Sequence, residues 1–120
     1  MTFDRLHHMQ LAMPRGEEQA ARDFFVGVLG MTEIDKPPIL VARGGAWFRA
    51  GEVELHLGVE DDFRPARKGH PGVVVTDLDE VVRRLAKAGQ EPRWDSDFLG
   101  FRRVYAHDPF GNRLEFLQIE

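Results

Sequence analysis

The sequence lacks several features that would restrict its function at once. None of its 120 residues is cysteine, so any metal must be held by nitrogen and oxygen ligands. No apolar run is long enough to span a membrane, and the N-terminal residues lack the apolar core of a signal peptide. The net charge of −4 argues against a general nucleic-acid surface, which needs a basic face. We therefore expect no membrane or nucleic-acid partner and a cytoplasmic location.

The remaining composition is that of an ordinary globular protein. Hydrophobic residues make up 42% and charged residues 30% of the chain. A chain of this length suits one domain with a modest core. The fold must therefore be inferred from periodicity and turn residues.

The first half of the chain predicts a strand, a helix and three further strands. The helix is indicated by apolar residues at helical spacing, and Gly30 suits the left-handed position that often ends a helix. The predicted strands cover residues 6–13, 31–34, 46–49 and 53–59, and the predicted helix covers residues 17–29.

The second half repeats this order of elements after a polar linker over residues 61–68. Asp77 and Glu80 form the pattern of a capping box at the start of its helix, and Gly89 ends that helix. The predicted strands cover residues 72–75, 92–94, 101–107 and 113–119. We therefore expect one domain over residues 1–120, with modules of approximately 1–60 and 69–120.

Three residues stand out as candidate metal ligands. His8 and His70 open the two halves in equivalent places, and Glu115 lies in the last predicted strand. Two imidazoles and one carboxylate suffice to hold a divalent metal that keeps open coordination positions. The alternative is structural: a lone strand histidine is more often hydrogen-bonded or exposed, and alternation alone does not tell which face Glu115 occupies.

Four segments together resemble the glyoxalase/bleomycin-resistance/dioxygenase superfamily, also called vicinal oxygen chelate proteins. In order along the chain they are HMQLAM (8–13), ARDFFVGVLGM (21–31), HPGVVVTDLD (70–79) and DPFGNRLE (108–115). The resemblance implies an α+β fold of two βαβββ modules, whose curved mixed sheets form a ligand cleft.

The resemblance also implies a set of ligands from the first and last strands of each module. Carried over by position, it gives His8, His70 and Glu115. Glu54 best matches the fourth ligand of glyoxalase I-like members, but His56 shares its strand face and stays an alternative. The metal would be Zn, Ni, Mn or Fe.

The implied function is that of a metal-dependent enzyme acting on a small oxygen-rich molecule. It would be a glyoxalase-type lyase or isomerase or a thiol transferase, with Glu115 or Glu54 as catalytic base. His56, Arg103 and Tyr105 are the expected substrate contacts. Two alternatives stay open: an Fe(II) dioxygenase-like enzyme, and a metal-free protein that binds a drug or metabolite.

The resemblance further implies a homodimer, because relatives often pair modules from two chains to build each site. A separate expectation is that His8 comes from one subunit, with His70 and Glu115 from the other.

Overall fold

Two four-stranded mixed sheets dominate the computed structural model, which describes residues 1–120. The first module contains β1 (Met9–Met13), α1 (Glu18–Phe25), β2 (Thr32–Ile34), α2 (Pro38–Val41), β3 (Ala46–Ala50) and β4 (Val53–Val59). The second contains β5 (Gly72–Val74), α3 (Leu78–Lys87), β6 (Arg93–Asp95), β7 (Phe101–His107) and β8 (Arg113–Ile119). Neither long helix has the length and apolar character needed to cross a bilayer.

The two sheets share one topology. Their strand orders are β1-β4-β3-β2 and β5-β8-β7-β6. In each sheet the first strand of the module pairs in parallel with the last, and the remaining pairs are antiparallel. The predicted α+β fold with two repeated modules is therefore confirmed.

The helices form where the apolar periodicity predicts them. Helix α1 buries Ala21, Phe24 and Phe25, and it packs against β3. Helix α3 buries Leu78 and Leu85 and packs against β8. The buried faces of both helices and both sheets join in one hydrophobic cluster of 16 residues that spans the two modules.

The predicted capping box at α3 is only half formed. The Asp77 carboxylate accepts a hydrogen bond from the Glu80 main-chain N–H at 3.0 Å. The Glu80 carboxylate does not return the bond to Asp77. It accepts hydrogen bonds from Arg83 and Arg84 instead, because these cations lie within one turn of it.

Several element bounds differ from the sequence-based predictions by one residue, and three differences are larger. Strand β1 begins at Met9, so His8 lies just before the strand. Regular α-helix ends at Phe25, and the turns that follow lead to Gly30, which has the expected positive φ of 76°. Helix α2 was not predicted, because its four residues are too few to show a helical period.

The turn between β7 and β8 connects the second module to the first. Buried Asn112 donates from its side-chain nitrogen to the Ala12 carbonyl at 2.8 Å and to Asp108 Oδ2 at 2.7 Å. Asp108 Oδ1 also accepts from the main-chain N–H groups of Phe110 and Asn112, both at 2.9 Å. Burial raises the pKa of Asp108, so these donors compensate for its loss of hydration.

We expect Asn112→Ala to lower the free energy of unfolding by about 1–3 kcal/mol, because Asp108 Oδ2 and the Ala12 carbonyl each lose the donor that the Asn112 side chain supplies. Chemical denaturation followed by circular dichroism measures this. Gln19→Ala is the matched control, since its amide donates to Asp23 at the surface. That variant should stay within about 0.5 kcal/mol of the parent. Equal losses in both variants would show that the buried link adds no stability.

Candidate functional site

Each sheet has a polar face on the side opposite the core. On β4, Leu55 and Leu57 point into the core, so Glu54 and His56 point the other way. Two groups of side chains result. The module 1 cluster consists of His8, Trp47, Arg49, Glu54 and His56, and the module 2 cluster consists of His70, Asp95, Arg103, Tyr105 and Glu115.

His56 forms the centre of an aromatic stack in the module 1 cluster. Its ring lies 3.8 Å from that of Trp47, at an interplanar angle of 1°, and 4.0 Å from that of His8, at 16°. Only 3% of His56 is exposed. Since both ring faces are covered, only the ring edge can contact another group.

Glu54 fixes one edge of that ring. Its Oε2 lies 2.7 Å from His56 Nε2, and its Oε1 lies 2.7 Å from Arg49 Nη2. Hydrogen bonds from Arg49 and then from His56 lower the pKa of Glu54 to about 2. Burial lowers the pKa of His56, which favours the neutral ring. A neutral His56 that donates Nε2–H to Glu54 carries its lone pair on Nδ1.

His70 and Glu115 make the central contact of the module 2 cluster. His70 Nε2 lies 2.8 Å from Glu115 Oε1. The other ring nitrogen, Nδ1, lies 2.6 Å from the main-chain carbonyl oxygen of Lys68. Glu115 Oε2 accepts a hydrogen bond from Arg103 Nη1 at 3.0 Å, and only 7% of Glu115 is exposed.

Oxygen atoms lie within hydrogen-bond distance of both ring nitrogens of His70. Both ring nitrogens face oxygen acceptors, but a neutral ring carries only one N–H. If His70 donates Nδ1–H to Lys68, then Nε2 and the Glu115 carboxylate would be the groups that hold a metal ion. Metal-bound histidines commonly donate their other N–H to a main-chain carbonyl in this way.

Arg103 holds the Glu115 carboxylate in place. Its Nη1 donates to Glu115 and its Nη2 donates to Asp95 at 3.1 Å, while its Nε is buried without an acceptor. The hydrogen bond to Glu115 raises the pKa of Arg103 further. Tyr105 stands nearby, edge-on to His70 at 5.6 Å between ring centroids. Arg103 and Tyr105, which we expected to contact a substrate, therefore lie beside His70 and Glu115.

Strand register shows which module 1 residue corresponds to Glu115. Gly72, two residues after His70, pairs with Glu115. Gln10, two residues after His8, pairs with His56. His56 therefore holds the place in module 1 that Glu115 holds in module 2. The family resemblance favours Glu54 instead, because the register of a parallel strand pair is not visible in the sequence.

The structure brings the predicted residues together in two groups rather than one. His70 contacts Glu115, and His8 contacts His56. His8, Glu54 and His70 line one groove of about 450 Å³ between the modules. Within one chain, however, no three His, Asp or Glu side chains are arranged to hold one ion, because the two groups lie on different sheets.

Sequence reasoning missed the side chains that orient these residues. Arg49 and Asp95 are ion-pair partners of Glu54 and Arg103, and Trp47 covers one face of His56. Their positions follow from antiparallel register, since Trp47 pairs with His56 and Asp95 pairs with Arg103. Only the correct pairing of β3 with β4 and of β6 with β7 would have predicted these partners from the sequence.

Comparison with known proteins identifies a match to one family over most of the chain. The model described as the Glyoxalase/Bleomycin resistance protein/Dioxygenase superfamily matches residues 5–116. A solved structure of a glyoxalase family protein from Bacillus anthracis is 42% identical, with a TM-score of 0.95, and the match covers 100% of this chain and 98% of that chain. No curated protein sequence matches the chain.

More distant structures share the fold but differ in their described functions. A lactoylglutathione lyase from Agrobacterium tumefaciens is 23% identical with a TM-score of 0.67, and the match covers 92% of this chain and 91% of that chain. The antibiotic binding protein TnmS3 from Streptomyces is 19% identical with a TM-score of 0.73, covering 99% and 100%. The fold therefore supports both catalysis and binding, and the site residues must distinguish them.

We expect Glu54→Gln to change the acid stability of the protein. The pKa of Glu54 is about 2 in the folded protein against an ordinary value of 4.5, so its ionised form stabilises the fold above pH 4.5. That contribution is lost as the pH falls from 4.5 towards 2. Unfolding at several pH values should show a shallower acid loss in Glu54→Gln than in the parent.

Glu52→Gln is the matched control for this measurement, since Glu52 is exposed two residues earlier and forms no ion pair. Its pH profile should follow that of the parent. Parallel profiles for the parent and Glu54→Gln would contradict the assignment of a strongly stabilised Glu54 carboxylate.

Proposed function

The chain belongs to the Glyoxalase/Bleomycin resistance protein/Dioxygenase superfamily, and from this premise we propose that it is a divalent-metal-dependent enzyme acting on a small oxygen-rich molecule. The reaction class is that of a glyoxalase-type lyase or isomerase, or of a thiol transferase. Membership alone does not decide this, since the superfamily's described functions include antibiotic binding. The side-chain donors of this chain distinguish metal-dependent catalysis from binding alone.

The observation that carries the proposal is the environment of His70. Its two ring nitrogens face Lys68 O at 2.6 Å and Glu115 Oε1 at 2.8 Å. Two ligands held at roughly 2.1 Å from one ion are themselves roughly 3 Å apart, so the Nε2–Oε1 separation suits a shared metal. Arg103, which donates to Glu115 Oε2, would keep the carboxylate oriented.

Module 1 also supplies side chains that can act as metal ligands. His8 is the first-strand histidine equivalent to His70, and His56 is the register equivalent of Glu115. We propose His8, His70 and Glu115 as ligands, with His56 Nδ1 as the fourth. Glu54 would then orient His56 as a hydrogen-bonded carboxylate, the arrangement common around metal-bound histidine. Glu54 stays the alternative fourth ligand.

Completion of the site calls for a second chain. The two clusters lie on separate sheets of one chain and do not converge on one point. In a homodimer, the module 1 cluster of one subunit can face the module 2 cluster of the other. We therefore propose a homodimer with two sites, each built from both chains.

A bound divalent metal would polarise adjacent oxygens of the substrate and lower the barrier to proton transfer beside them. The chain's own residues supply the rest. Glu54 is a poor base because hydrogen bonds hold its pKa at about 2. Glu115 is therefore the better candidate base. Arg103 positions the Glu115 carboxylate, and Tyr105 contacts the substrate beside His70.

We expect the protein to bind Zn²⁺, Ni²⁺ or Mn²⁺, and His70→Ala or Glu115→Ala to abolish that binding. His56→Ala should weaken it strongly, whereas Glu54→Gln should weaken it about tenfold, as losses of groups that orient ligands do. Titration calorimetry and elemental analysis measure this. Metal loss in Glu54→Gln that equals the loss in His70→Ala would make Glu54 the fourth ligand instead.

His107→Ala is the matched control, because its exposed imidazole lies at the end of β7 and makes no side-chain hydrogen bond. It should bind metal like the parent. A parent protein that binds no divalent metal would overturn the enzyme proposal and favour a metal-free binding protein. Activity that depends strictly on O₂ with Fe²⁺ would favour the dioxygenase alternative.

A mixing experiment tests whether two chains share each site. Co-expression of His8→Ala and Glu115→Ala chains with different affinity tags allows heterodimers to be isolated. If each site takes His8 from one subunit and Glu115 from the other, one site carries both changes and the second is intact. We expect about one ion per heterodimer and none in either homodimer. Absence of metal from the heterodimer would assign each site to one chain.

A further inference from the structure

An apolar cavity of about 150 Å³ lies between the two modules. Every residue that lines it is apolar. The core residues Leu55, Leu114 and Phe116 form its inner part and are at most 7% exposed, whereas Val74 at its rim is 55% exposed. The cavity is therefore accessible from solvent, although its lining offers no polar side chain.

Elements of both modules enclose this cavity. Ala50 and Val53 form the last pair of the β3–β4 hairpin, and they line it from module 1. In module 2, β5 lies at the edge of its sheet and begins the valine run 73–75, so these side chains have a neighbouring strand on one side only. Leu29, after α1, and Val81, in α3, contribute from the helical layer. The side chains of the chain itself leave this space between the modules unfilled.

The size and lining of the cavity favour an apolar occupant over water. An ordered water molecule needs two to four polar partners, and the lining side chains supply none. Cavities of roughly 150 Å³ that are lined by aliphatic and aromatic side chains can stay dry and accept a benzene-sized molecule. Transfer of an apolar group from water into this cavity would therefore be favourable.

The cavity is continuous with the groove that His8, Glu54 and His70 line. The residues shared by the cavity and the groove are Val53, Leu55, Val73 and Val74. One molecule can therefore place its polar atoms in the groove and extend an apolar part into the cavity.

We propose that this cavity binds an apolar substituent, one ring or a short alkyl chain, of the small molecule whose oxygen atoms face the candidate metal ligands. The volume limits the substituent to about the size of one benzene ring. A charged or hydrogen-bonding substituent is disfavoured, because it would lose its hydration without gaining a partner. The placement of the polar atoms rests on the proposed function, whereas binding of an apolar group in the cavity is measurable without it.

The test uses full-length, EDTA-treated protein with toluene as a neutral probe. Toluene should shift the methyl NMR signals of Val53, Val73 and Leu114 in a saturable way. Benzylamine, which has a similar size but is charged at neutral pH, should bind about tenfold more weakly or not at all. Val81→Phe and Ala50→Leu should each weaken toluene binding about tenfold or more, because the added atoms occupy the cavity. Circular dichroism checks that both variants fold, and either one suffices for the test.

Val41→Phe is the matched control, because Val41 is 60% exposed in α2 and does not line the cavity. This variant should bind toluene within about twofold of the parent, since substitutions away from a site have small effects. Equal weakening in Val41→Phe would overturn the proposal, as would absence of saturable binding by the parent. Toluene binding that appears only on dilution to the monomer would assign the cavity to a side chain of a second copy and overturn the proposal too. Metal binding by Val81→Phe and Ala50→Leu, measured separately, should match that of the parent, which keeps failure of the cavity distinct from failure of the metal site.

Discussion

Parallel pairing of the first and last strands within each module creates the candidate site. It brings His70 against Glu115, 45 residues later, and His8 against His56. The intervening helix covers one side of the sheet and the core, so both contacts lie on the side facing away from it. The same pairing sets the register that makes His56 the equivalent of Glu115. The residues that meet in the candidate site are therefore set by backbone register more than by local sequence.

Charge is distributed differently in the two modules, although their backbones match. In module 1, Glu54 is held ionised by Arg49 and by a neutral His56. In module 2, Glu115 lies between His70 and Arg103, and two further arginines stand near Tyr105 without partners. The two clusters therefore differ in how their charged groups are paired, although the strand topology is the same.

Much of the fold could be predicted from the sequence, because helices and strands leave local periodic signals. The helical spacing of Ala21, Phe24 and Phe25 indicated α1, and the glycines at 30 and 89 indicated where the two helical segments end. The His70–Glu115 contact could also be predicted, since the resemblance assigns the two residues to the first and last strands of one module. Residue identity alone does not reveal that Asn112 reaches Ala12, a contact between residues 100 positions apart.

Contacts that depend on strand pairing also explain why the sequence could not decide between Glu54 and His56 at the site. Glu54 and His56 share a strand face, so alternation cannot rank them, and only pairing with Gln10 distinguishes His56. The partners Arg49 and Asp95 come from strands whose register is set by tertiary packing. That Arg93 and Arg113 form no ion pair depends on their neighbours in three dimensions, which composition does not predict.

The proposed site requires that His70 Nε2 and the Glu115 carboxylate hold a metal ion together. Nitrogen-15 NMR of the imidazole rings, before and after addition of one equivalent of Zn²⁺, observes this contact directly. We predict that His70 keeps its proton on Nδ1, facing Lys68, and that Nε2 takes the chemical shift of a metal-bound nitrogen, while exposed His107 is unchanged. A His70 that retains a proton on Nε2 in the presence of Zn²⁺ would contradict the account.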